Sequence, residues 1–317
     1  MLDTMFYLIL NMSIASCFVI VVLLVVRQIK LLPKRVVYPL WALAFFRLIM
    51  PFTLPTNWSL FNITSGLVKR LVTVETITQG TASSYEPGSM IMMNTIGAVD
   101  QYVPIKYKTE ALRQIFTIAS IIWAVLAAAA LIAAAILYML TRKELNKAVY
   151  IKDNLYRSDM LLTPVLTGLI RPKLILPVSL DPDSAEGRMV QMHENVHKHR
   201  LDNLWRILGI CIVSLHWFNP LAWIMLKAFF TDMELSCDES VIKSFNTEER
   251  KAYAQILLNF AEDKRLLVST AFGCSGVKVR IINVLNYKKL TMIGAAASLL
   301  FLLVVAVVLA TNPQIRG

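Results

Sequence analysis

Apolar residues run without a charge through 6–26, 115–140 and 290–310, and with one charge, Arg47, through 36–54. A bilayer core about 30 Å thick calls for roughly 20 apolar residues in a helix, so each run predicts a membrane span. The second is interrupted by Pro39 and Pro51. Residues 1–54 then form a transmembrane hairpin, 115–140 a third span and 290–310 a fourth. Between the second and third spans lies an outer loop, 55–114, with "TQGTASSYEPGS" at its centre. The fold expected is mainly α and polytopic, with four transmembrane helices. An α+β domain occupies the polar stretch 141–289, and only "TNPQIRG", 311–317, follows the last span.

Composition agrees with this pattern. Hydrophobic residues make up 56% of the chain, and the mean hydropathy is +0.59. The first span is not read as a cleavable signal peptide, because no basic region precedes it and charged "RQIKLLPKR" follows. A net charge of +11 invites a nucleic-acid reading, but the placement of the charges argues otherwise. No Lys or Arg precedes the first span. Arg27, Lys30, Lys34 and Arg35 separate the first two. Arg142, Lys143 and Lys147 follow the third, and Lys278, Arg280, Lys288 and Lys289 precede the fourth. Positive charges stay inside, so both termini lie outside and 141–289 is cytoplasmic. The basic residues set orientation and meet anionic lipid, and no direct nucleic-acid binding is expected. Cys17, Cys211, Cys237 and Cys274 are read as free thiols in a reducing compartment.

Within the cytoplasmic segment, "LLTPVLTGLIRPKLILPVSL" breaks into short apolar runs that predict strands. "DPDSAEGRMVQMHENVHKHRL" then reads as a helix, with Ser184 near its start. Three of the chain's four histidines fall in it, two of them bracketing a glutamate as His193-Glu194-Asn195-Val196-His197. Residues i and i+4 share a helix face, so His193 and His197 can aim at one metal ion while Glu194 takes a proton from water. Catalytic zinc usually has three protein ligands. "TDMELSCDES" offers Asp232, Glu234, Asp238 and Glu239. Glu234 and Asp238 share a face, so Glu234 could bind metal while Asp238 fixes a histidine tautomer. A solvated acidic face is the plainer alternative.

H-E-x-x-H followed some forty residues later by E-x-x-C-D resembles the BlaR/MecR-type antirepressor membrane metallopeptidases, which are gluzincins related to the Ste24 and HtpX proteases. "GLIRPKLILP" is similar to the family's edge-strand segment, "HWFNPLAW" to its apolar link, and "STAFG" to the region where members cut themselves. The resemblance implies a gluzincin-like protease domain between the third and fourth spans. It implies zinc on His193, His197 and Glu234, with Glu194 as base. It also implies a transcriptional repressor as cytoplasmic substrate and self-cleavage near Ala271–Phe272. Lys173–Pro177 would hold the substrate as an added strand. The family's antibiotic sensors carry a penicillin-binding domain after the last span. The short tail here fits a truncated form or a short member with another input. Homodimerisation is left open. Two rival functions are a constitutive quality-control protease of the Ste24/HtpX kind and a non-catalytic membrane receptor.

Arg47 needs protein or water around it. Asp202 could orient a ligand histidine. His199 and Arg200 are expected on a solvated helix face, Cys237 as a small buried residue, and His216 as an interfacial or satisfied core histidine. Ser275 and Lys278 fit S-x-x-K by chance. The apolar stretch 204–230 resembles a fifth span, yet His197 before it and Glu234 after it must meet at one ion. It is therefore expected to turn at Asn219-Pro220 as a helical hairpin, either re-entrant or at the cytoplasmic interface, with Trp205, Trp217 and Trp223 near polar boundaries or packed on other spans.

Overall fold

A computed structural model describes residues 2–29, 32–50, 55–56, 110–169, 172–265, 274–288, 292–310 and 312–313. Helices α1 (Leu2–Val26), α2 (Lys34–Ile49) and α3 (Glu110–Leu145) cover the first three apolar runs, and α9 (Met292–Ala310) covers the last. By length and composition, 2–26 and 114–145 are the two stretches able to cross a membrane among the described residues. Most of the outer loop, together with Ala271 and Phe272, lies outside those residues. Where it is described, the loop's start, β1 (Pro55–Thr56), pairs in parallel with β6 (Asn312–Pro313).

The polar segment opens with β2 (Val149–Lys152), β3 (Leu155–Ser158), β4 (Val165–Thr167) and β5 (Lys173–Pro177). They form one sheet in the order β2-β3-β5-β4. β5 pairs in parallel with β3 and antiparallel with β4. Both edges of β5 are therefore used, which corrects the expectation that Lys173–Pro177 receives a substrate. The open edge nearest the histidine helix is β4.

That helix, α4 (Ala185–Arg200), begins where Ser184 accepts a hydrogen bond from the Gly187 amide at 2.9 Å. A Cβ on Gly187 would lie 2.1 Å from the Asp181 carbonyl oxygen, so only glycine lets the incoming chain cross so closely. Leu201, in the left-handed region at φ 55°, ends the helix and turns the chain directly into α5 (Asp202–Leu215).

A turn at 216–219 leads into α6 (Pro220–Ile242). Asn219 caps it by accepting from the Leu221 amide at 2.9 Å, and Pro220 fills the first helical position, where no donor is needed. The apex is tied down on three sides. Asn219 donates to Ser13 Oγ at 2.8 Å, His216 Nε2 donates to the Leu48 carbonyl at 3.0 Å, and Trp123 donates to the Leu215 carbonyl at 2.8 Å. Trp205 packs on Phe45, and Trp223 donates to the Trp217 carbonyl. A buried apolar cluster joins α1, α2, α5 and α6, with Phe45 edge-on to Phe229 at 5.0 Å. Helices α7 (Thr247–Arg265) and α8 (Cys274–Leu285) close the other end around Tyr253, Leu257 and Val284.

Replacing Gly187 with Ala should cost about 1–3 kcal/mol of stability, because backbone and not a flexible side chain must give way. Thermal unfolding of the detergent-purified chain measures it, and an unchanged midpoint would show that the α4 start is not so constrained.

Candidate metal centre

His193 and His197 are buried on one face of α4, with their Nε2 atoms 3.1 Å apart. Two imidazole nitrogens facing each other so closely need a proton or another cation between them. Glu234, from α6, completes the group. Its Oε2 is 3.6 Å from His193 Nε2 and its Oε1 is 3.7 Å from His197 Nε2. A tetrahedral ion with bonds of about 2.0–2.2 Å has ligand–ligand edges of roughly 3.3–3.6 Å, so the three residues fit one zinc-sized ion. Cys237 also lies within reach of the histidines. Its sulfur, however, stands 3.4 Å from Nδ1 of His193 and donates to the His193 carbonyl. The two Nε2 atoms and the Glu234 carboxylate share a single gap, so Glu234 is the better third ligand. Cys237 is its buried neighbour, and Cys17, Cys211 and Cys237 are all free.

The Nδ1 atoms point away from the gap and meet oxygen. His197 Nδ1 lies 2.6 Å from Asp202 Oδ2. His193 Nδ1 lies 2.8 Å from the Tyr253 hydroxyl and 3.3 Å from Asp238 Oδ1, and Tyr253 itself donates to Asp238 at 2.7 Å. Protons on both Nδ1 atoms leave both Nε2 lone pairs free for a cation. Burial opposes charge on His197, but hydrogen bonds to Asp202, Cys237 and Glu234 together outweigh it and raise the pKa well above the ordinary value.

The carboxylates are held ionised. Burial would raise Asp238, yet the Arg280 guanidinium overcomes it and holds the acid at about 2. Arg280, from α8, donates through Nε and Nη2 to Asp238 at 2.8 Å each, and its Nη1 lies 3.1 Å from Glu234. Burial likewise works against Glu234, but Arg280 and the two histidines keep its pKa well below the usual range. Arg206 reaches the other Glu234 oxygen at 2.6 Å. Each oxygen thus carries one guanidinium and keeps a lone pair for the gap.

Glu194 lines the cleft beside the histidines. The cleft holds about 460 Å³. Thr163, Pro164, Val165 and Leu166 border it along the open edge of β4, and Arg206, Tyr253, Phe260 and Arg280 line it as well. Asn203 donates to the Leu166 and Gly168 carbonyls at 2.8 and 3.2 Å, fixing the middle of β4 and the residue just after it to α5.

Asp232 and Glu239 face away from the gap. Asp232 accepts from Arg27 and Trp41, and Glu239 accepts from the amides of Lys34 and Arg35. His199 turns outward and bonds the Asn195 carbonyl. Arg200 departs from its expected solvated face. It covers the Tyr38 ring at 4.2 Å and donates to Ser236 at 3.1 Å and to Asp202. His216 is buried, with one nitrogen bonded and Nδ1 without a partner among the described residues. Arg47 is buried too. Sequence reasoning missed Tyr253, Arg206 and the role of Arg280. Arg280 is 87 positions from His193 and belongs to no motif, and only the fold brings it in.

Histidines four apart on one helix, a glutamate beside them and a carboxylate facing them from a second helix make a metallopeptidase-type centre. The chain belongs to the BlaR1 peptidase M56 family, whose description matches residues 7–284. The regulatory protein BlaR1 of Bacillus licheniformis is 34% identical over an alignment of 169 residues that covers 51% of this chain and 28% of that relative's length.

Arg280→Met should destabilise the metal-free chain by about 3–5 kcal/mol, because it leaves Asp238 buried without its cation. Adding Asp238→Asn should recover part of the loss. Denaturation of the single and double variants decides, and strictly additive losses would show that the pair is not coupled.

Proposed function

We propose that the chain is a membrane-embedded zinc metalloendopeptidase of the signal-transducing antirepressor type. The observation that carries this reading is the convergence of His193, His197 and Glu234 on one gap beside Glu194, in a cleft bordered by an open strand edge. Zinc bound there supplies Lewis acidity that polarises a scissile carbonyl. Glu194 takes a proton from the attacking water and passes it to the leaving amine nitrogen. Asp202 and the Tyr253–Asp238 pair hold the Nδ1 protons and so keep both histidines in the ligating tautomer. Arg206 and Arg280 face the cleft, where their charge favours the oxyanion that develops on the substrate. A substrate peptide adds to β4 as an extended strand. The substrate proposed is a cytoplasmic transcriptional repressor, with self-cleavage near Ala271–Phe272.

In this reading α1, α2, α3 and α9 are the four spans, both termini lie outside, and the α5–α6 hairpin enters the bilayer from the cytoplasmic side. The pairing of α6 with α1 supports the last point. Asn219 meets Ser13 at the apex and Asp232 meets Arg27 at the base, so the two helices run side by side for roughly 20 Å. Cysteines placed at Lys198 and Lys243 should label only from the cytoplasm. Labelling of either from outside would make the hairpin a true span.

Purified full-length protein should hold one zinc per chain and cut itself or an added repressor. Glu194→Gln should keep the zinc and lose about 10²–10⁴ in rate, and Glu234→Ala should lose the metal. Elemental analysis and mass spectrometry of the fragments read both. Full zinc in Glu234→Ala would overturn the ligand set. A substrate profile dominated by misfolded membrane proteins would favour the constitutive quality-control role.

A further inference from the structure

The carboxylate that orients His197 comes from the start of α5 and is itself held by α2. Asp202 is fully buried, and its two oxygens divide their donors. Oδ2 faces His197 Nδ1 at 2.6 Å and Arg200 Nη2 at 3.2 Å. Oδ1 accepts the Tyr38 hydroxyl at 2.8 Å and Arg200 Nε at the longer distance of 3.3 Å. Tyr38 comes from α2, 164 positions away. Its ring is held from both sides, stacked on Phe229 at 5.5 Å and 15° and covered by the Arg200 guanidinium at 4.2 Å. Packing therefore fixes where the hydroxyl sits, and the hydroxyl fixes the Asp202 carboxylate.

The same face of α2 is anchored twice more. The Lys34 and Arg35 amides, at the positive N-terminal end of the helix, donate to Glu239 at 3.0 and 3.1 Å. Trp41 donates to Asp232 at 2.9 Å. Positions 34/35, 38 and 41 follow one another at helical spacing, so α2 lies registered along α6. Of these anchors, Tyr38 alone touches a group bonded to a histidine of the gap.

We propose that Tyr38 is a positioning residue of the metal centre, acting through Asp202 on His197, so that the α1–α2 hairpin completes the site. The inference rests on the metallopeptidase reading above. A displacement of α2 along α6 carries the hydroxyl away from Asp202 and frees the carboxylate to rotate. The imidazole then loses its fixed orientation. The region read as membrane-inserted is thereby coupled to ligand geometry by one hydrogen bond.

Tyr38→Phe removes that bond and keeps the stacked ring. Glu239→Gln weakens the neighbouring anchor without touching the histidine chain. Zinc affinity is measured on the full chain by chelator competition, and the visible spectrum is recorded after cobalt substitution. The expected result is a loss of about ten- to a hundred-fold in zinc affinity and an altered cobalt spectrum for Tyr38→Phe, with Glu239→Gln close to the parent in both. Parent-like affinity and spectrum in Tyr38→Phe would overturn the proposal. So would equal losses in the two variants, or a Tyr38→Phe chain that fails to fold, since each would mark a purely structural contact. A parent chain that takes up no zinc would overturn the metallopeptidase reading first, and this inference with it.

Discussion

Helix α6 must satisfy four acidic residues that water reaches poorly, and much of the architecture answers that demand. At 100° per residue, Asp232 and Glu239 fall on one side of the helix and Glu234 and Asp238 on the other. One pair needs donors from the α1–α2 hairpin, and Arg27, Trp41 and two backbone amides supply them. The other pair needs cations, which Arg206 and Arg280 provide beside the histidines. An unpaired buried carboxylate costs several kcal/mol, so neither set of partners can leave without the other being felt. The helix is thus clamped between a transmembrane-type hairpin and a peptidase-type site.

The α4–α5 junction makes the second half of the arrangement. Leu201 accepts a left-handed backbone, which costs a branched side chain about 1–2 kcal/mol. In return the chain reverses within one residue, and Asp202 returns to the helix it has just left, against His197. The Asn203 side chain then reaches the edge strand. Three consecutive residues therefore end one helix, orient a histidine and anchor the strand that borders the cleft.

The parts legible in the sequence were those written in short-range code. The histidine pair is a helical i, i+4 signal, and the hairpin turn is announced by a capping asparagine before a proline. Glu234 and Asp238 were separable from Asp232 and Glu239 by helix phase alone. β2 and β3 were overlooked because Val149, Tyr150 and Ile151 are adjacent and all exposed and only Leu155 is buried, so no apolar alternation marks them. A two-residue Asp153-Asn154 turn, with Asp153 at φ 48°, was the available clue. The edge strand was misplaced because the most apolar run, Lys173–Pro177, is apolar for being interior to the sheet. Tyr38, Tyr253 and Arg280 were out of reach, since their roles arise from packing between segments far apart in the chain.

The strand at the mouth of the cleft has a further consequence. β4 is only three residues long, and Asn203 already occupies the carbonyls of its central residue, Leu166, and of Gly168 just beyond it. A peptide laid along it gains few main-chain hydrogen bonds, too few to drag a folded segment open or to fix a long reading frame. On the proposed peptidase reading, selection would then fall on availability rather than spelling. A stretch of polypeptide already loose and close to the bilayer face would have the advantage over a better-matched sequence that remains folded.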